Sequence, residues 1–107
     1  MDREIVVTFV DENLERAYDA LAEGTYEDKK LYELLTEVMK LIRKNPFGGI
    51  RIPRKLIPKE YNATVLYKIN LTKSWRLVYS VSKTRIEIMA IILEWFPHKK
   101  YERRFKY

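Results

Sequence analysis

The spacing of apolar and polar positions changes several times along the chain, and each change marks an element. Ile5-Val6-Val7-Thr8-Phe9-Val10 is short, β-branched and apolar, the pattern of a buried strand. Asp11 can cap a helix that starts just after it. Leu14, Ala17, Tyr18 and Leu21 fall at i, i+3, i+4 and i+7, one stripe of a helix that ends near Gly24. Thr25-Tyr26-Glu27-Asp28 has the form of a capping box, with Asp a weaker partner there than Glu. It opens a second helix with Leu31, Leu34, Leu35, Val38, Leu41 and Ile42 on one face. Lys40, Arg43 and Lys44 close that helix where its dipole favours cations, and Asn45-Pro46 stops it.

Gly48 to Tyr61 reads as a loop, because Pro53 and Pro58 cannot sit in a central strand. Strand-like runs come next at Thr64 to Leu71, Trp75 to Ser82 and Ile86 to Leu93, joined by connections short enough for antiparallel hairpins. The tail from His98 to Tyr107 is basic and aromatic and is expected to form a last helical turn or two. With no repeat, linker or low-complexity stretch, residues 1–107 are expected to form a single α+β domain of order β-α-α-β-β-β, two helices packed on an antiparallel sheet.

Alternation sorts the strand side chains into faces. Val65, Tyr67, Ile69 and Leu71 share one face with Trp75, Leu77, Tyr79 and Val81, the face expected to meet the helices. Leu66, Lys68, Asn70, Arg76, Val78 and Ser80 lie on the other. A three-residue loop places Asn70 opposite Arg76 and Lys68 diagonal to it. A two-residue loop at Lys83-Thr84 would set Ile91 beside Arg76 and Met89 beside Val78, although Lys-Thr is not a favoured sequence there.

Composition narrows the chemistry. The chain has no cysteine and one histidine, which excludes disulfides, thiolate sites, a cysteine nucleophile and a histidine metal cluster. No metal and no cofactor are expected. No run is apolar enough to span a bilayer and the start is not a secretory signal, so the expectation is a cytoplasmic protein without membrane contact. The lack of glutamine and cysteine with many Glu, Lys and Arg is the composition expected of a thermophilic source; a melting midpoint in the ordinary mesophilic range would contradict that.

Net charge is +6, and its distribution says more than its size. Acidic residues dominate up to Met39 and basic ones from Lys40 onward, which predicts one basic face suited to a polyanion. Arg76 lies mid-strand between apolar residues, where an arginine without an anionic partner is costly. An ion pair with Glu87 or Glu94, a side chain reaching back to solvent, and a phosphate-binding role all satisfy the pattern.

Tyr67-Lys68-Ile69-Asn70-Leu71-Thr72-Lys73-Ser74-Trp75-Arg76-Leu77-Val78-Tyr79 resembles the RelE/ParE toxin superfamily, whose signature is a Y-K-I-x-L strand, a short turn and then [YWH]-R-L-[VI]-Y. Ile92 to Tyr101 is similar to that family's closing strand and basic H-[KR]-x-x-Y tail. The resemblance implies a ribosome-dependent endoribonuclease cleaving messenger RNA in the A site, held in check by a cognate antitoxin in a toxin–antitoxin hetero-oligomer. It further implies that Arg76 steadies the phosphate and Lys68 adds charge or assists the base, while Tyr101 orients or stacks on the substrate. His98, alone in having an unperturbed pKa suited to proton transfer near neutrality, is the acid or base candidate. Arg51, Arg54, Lys55, Lys73, Lys99, Lys100, Arg103 and Arg104 are the expected RNA contacts. Asn70 departs from lysine-rich members, which carry a second strand lysine there, and the tail has His-Lys-Lys in place of their most frequent arginine. The alternative is a non-catalytic ParE-like or degenerate relative that binds gyrase, RNA or a protein partner. The ParE-type branch generally lacks the tail acid/base pair, so His98 with Tyr101 favours the nuclease.

Overall fold

The helices start where their caps are. In the computed structural model, which describes residues 3–72 and 74–105, helix α1 (Glu12–Leu21) opens on Asp11, whose carboxylate accepts the Leu14 N–H at 2.8 Å. Helix α2 (Tyr26–Lys44) opens on a reciprocal box: the Thr25 hydroxyl accepts the Asp28 N–H at 3.1 Å, and the Asp28 carboxylate accepts the Thr25 N–H at 3.0 Å. Its buried stripe is Leu31, Leu35, Val38 and Ile42. Leu34 is half-buried and Leu41 is 59% exposed, so the apolar stripe is narrower than expected.

The strands are β1 (Glu4–Phe9), β2 (Ile50–Arg51), β3 (Leu66–Asn70), β4 (Trp75–Lys83) and β5 (Glu87–Pro97), and a final helix α3 spans His98–Phe105. They form a mixed five-stranded sheet in the order β1-β5-β4-β3-β2. The three C-terminal strands are the expected antiparallel meander, and β1 joins it parallel to β5. That position makes β1 an edge, so its side chains are half-buried where a buried strand was expected. Strand β2 lies within the segment expected to be loop; two residues pair antiparallel with β3 before Pro53, which an edge strand tolerates. Gly49, just before it, has no room for a side chain: an added Cβ would meet the Tyr79 hydroxyl at 2.8 Å. That hydroxyl accepts the Gly49 N–H and donates to the Pro46 carbonyl, tying the loop to the core.

Register decides what surrounds Arg76. Asn70 pairs with Arg76 and Lys68 with Val78, as the three-residue turn predicts. The β4–β5 hairpin differs. Thr84 closes a wider loop, its N–H donating to the Glu87 carbonyl while its hydroxyl accepts the N–H of Glu87 at 3.0 Å. A shift in register between Val78 and Tyr79 then leaves Leu93 as an extra residue, a β-bulge. Phe96 therefore stands beside Arg76 and Glu94 beside Val78, in place of the expected Ile91 and Met89.

The sheet separates two cores. On one side α1 and α2 pack on Tyr67, Leu77, Tyr79, Ala90 and Ile92. On the other, α3 and the proline loop cover a smaller cluster of Ile52, Leu66, Val78, Phe96, Tyr101 and Phe105. The two helices, whose charges nearly balance, thus lie on one face and the basic loop and tail on the other, which is how the basic second half of the chain becomes a charged surface.

Candidate active site

The second sheet face gathers the principal candidates. Lys68 on β3 and Arg76 on β4 are diagonal neighbours there. Pairing of Trp75 with Pro97 delivers His98 to the start of β4, where its N–H donates to the Ser74 carbonyl at 2.7 Å. Helix α3 then folds back over the face, bringing Tyr101 beneath Lys68, whose Nζ stands 4.9 Å from the ring centre.

Arg76 is half-buried and has no carboxylate partner among the described residues. Its Nη1 donates to the carbonyls of Thr72 at 3.0 Å and Trp75 at 3.2 Å, and among the described residues no hydrogen bond engages Nε or Nη2. The guanidinium is anchored by one nitrogen and keeps donors for an anion.

Glu94, one of the two acids set against Arg76 on sequence grounds, is engaged elsewhere. It accepts from the Tyr61 hydroxyl at 2.8 Å and from Arg104 at 3.0 Å, while Arg104 also donates to the Tyr61 oxygen at 3.2 Å. The bulge sets Glu94 beside Val78, and α3 carries Arg104 back over the sheet to meet it. Arg104, expected to contact RNA, is therefore occupied in holding α3 and the proline loop together. Burial first, then the hydrogen bond to Glu94 and its charge, push the Tyr61 hydroxyl well above the ordinary tyrosine range. A raised folded-state pKa means this stabilisation is complete below about pH 10, the unfolded tyrosine value, and declines above it as the unfolded chain gives up the proton first. Urea midpoints are expected to fall as pH rises through that region, and more gently in Tyr61→Phe. Some slope remains in the variant, because burial also raises Tyr18 and Tyr79. A slope unchanged in Tyr61→Phe would contradict this assignment.

His98 is half-exposed, with Nε2 2.6 Å from Oε1 of Glu102 and Nδ1 buried by the protein. Glu102 was not singled out in the sequence, although a His-x-x-x-Glu spacing on a helical tail is the available signal. Tyr101 is only 2% exposed, stacked on Phe96 and packed against Phe105. Its ring belongs to the second core as well as to the candidate site.

The remaining cations are not all brought together. Arg54, Lys55, Lys99, Lys100 and Arg103 are exposed on the proline loop and α3. Clefts of about 380 Å³, beside Lys55, Lys59 and Arg104, and about 430 Å³, beside Lys100, Arg103 and Arg104, lie on this basic side. Arg51 pairs with Tyr67 and lies over its ring at 5.8 Å, so it faces the helix side, away from Lys68. Lys73 lies outside the described residues. Among the described residues no group of three or more acidic or histidine side chains is placed to hold a metal, and no helix is long and apolar enough to cross a membrane.

No protein-family model and no curated protein matches the chain. Among solved structures it is similar to a YoeB/ParE toxin from Agrobacterium tumefaciens, at 16% identity and a TM-score of 0.60, over 89% of this chain and 98% of that one. At that identity the likeness speaks to architecture, and the chain has the fold of that toxin, the RelE/ParE-like fold.

Proposed function

We propose that the chain is a RelE-like toxin, an endoribonuclease that cleaves messenger RNA in the ribosomal A site and is neutralised by a cognate antitoxin. The observation that carries this reading is the convergence of Lys68, Arg76 and His98 on one basic sheet face, with Arg76 lacking a carboxylate partner among the described residues. In the reaction the RNA 2′-hydroxyl gives up its proton to a water molecule as its oxygen attacks the adjacent phosphorus, and the bond from phosphorus to the 5′-oxygen breaks, leaving a 2′,3′-cyclic phosphate and a 5′-hydroxyl. Arg76, with Lys68 beside it, stabilises the charge gathering on the phosphoryl oxygens. His98 supplies the proton that the 5′-oxygen takes as it leaves. The exposed cations of the loop and α3 hold the RNA backbone by displacing its counterions. An antitoxin with acidic residues would mask this face.

Purified protein added to a cell-free translation system, with messenger ends mapped by primer extension, tests the reading. Codon-phased cuts are expected. Intact message alongside inhibited gyrase would sink it in favour of the second reading, a non-catalytic binder. That reading has one observation on its side: the Tyr101 hydroxyl is buried, away from where a substrate would touch it.

A further inference from the structure

The imidazole of His98 presents its two nitrogens very differently. Nδ1 is covered by the protein, while the side chain as a whole is 40% exposed. With Nδ1 covered, Nε2 is the ring nitrogen left for an external phosphate to reach. That nitrogen is already occupied, because Oε1 of Glu102, one helical turn along α3, sits 2.6 Å away. A carboxylate that merely orients a catalytic histidine bonds the nitrogen opposite the working one. Here the carboxylate stands on the working side.

We infer that Nε2 is the nitrogen through which His98 meets a phosphate, and that Glu102 is an intramolecular stand-in for that phosphate, a contact that must open when substrate binds. Both groups are anionic oxygen acceptors and compete for the same N–H. The contact is made to yield: Glu102 is 49% exposed, and an exposed pair is weak, so displacing it weakens phosphate binding by only about two- to five-fold. Lys99, Lys100 and Arg103, exposed on the same helix, raise the local phosphate concentration that drives the exchange. The consequence for catalysis rests on the nuclease reading, whereas the competition itself does not.

Inorganic phosphate is the probe, titrated into ¹⁵N-labelled wild type, Glu102→Ala, His98→Ala and the double variant, with affinity read from amide signals and His98 followed by its imidazole nitrogens. Phosphate is expected to perturb Nε2 and to bind Glu102→Ala about two- to five-fold tighter than wild type. In the His98→Ala background, removing Glu102 should bring no such gain. An equal gain in that background would mean that Glu102 simply repels anions, and would overturn the inference. So would equal affinity of wild type and Glu102→Ala. Should the phosphate result hold while messenger RNA stays uncut, the nuclease reading falls and the competition stands.

Discussion

Replacing Arg76 with alanine is expected to lower codon-phased cleavage by about 10²- to 10³-fold, the loss typical when a preorganised donor to a developing charge is removed. The size reflects the job of the guanidinium and the way it is held. One nitrogen is spent on the carbonyls of Thr72 and Trp75, which fixes the group at the mouth of the β3–β4 turn. The remaining donors form a planar fork that a phosphate can accept in pairs. Arg76→Lys should recover little of the loss, because an ammonium carries charge without the fork and cannot hold both carbonyls while facing a phosphate. Stability should change by less than about 1 kcal/mol in either variant, since no carboxylate is stranded and the side chain is half-buried. Primer extension gives the rate and urea unfolding the stability. Undiminished cleavage in a folded Arg76→Ala protein would remove Arg76 from the mechanism.

Tyr101 carries the second large effect, and it separates structure from chemistry. Its ring is packed between Phe96, at 5.8 Å, and Phe105, at 4.7 Å, with Lys68 over it. Truncation to alanine opens a cavity in the smaller of the two cores and should cost about 3–5 kcal/mol. Against a total of about 5–15 kcal/mol for an ordinary domain, that loss threatens the docking of α3 itself, and His98 with it. Tyr101→Phe keeps the ring, so the fold should survive, and cleavage is expected to stay within about tenfold of wild type because the hydroxyl is buried. A folded Tyr101→Phe protein whose cleavage fell a hundredfold would instead show that the hydroxyl takes part in the reaction.

The diagonal placement of Lys68 next to Arg76 was readable because it depends on local quantities. A three-residue turn and a period of two place both side chains on one face, and no distant contact enters. The caps of α1 and α2 were readable for the same reason, each being a hydrogen bond spanning three residues. The neighbours of Arg76 on its other side were not. They depend on a loop wider than two residues, closed by the Thr84 hydroxyl, and on a bulge at Leu93, and alternation alone predicts neither. The face taken by Arg51 was not readable either, because the pattern predicts a loop at β2, and without a strand a side chain's face is undefined.

By itself, then, the amino-acid order determined the helices, the four longer strands, the identity of the helix-facing side and the concentration of basic residues in the second half of the chain, since caps, periodicity and composition act over a few residues. Tertiary structure decided which charges remain available. Glu94 and Arg104 are ten residues apart and meet only because α3 returns over the sheet, leaving Arg76 without an acidic partner among the described residues. The burial of Nδ1 of His98, which leaves Nε2 as the nitrogen facing Glu102, likewise belongs to the folded chain and not to the local pattern. A charge is neutralised or kept free by whatever lies within about 4 Å of it, and that neighbourhood is set by chain segments the local pattern does not relate.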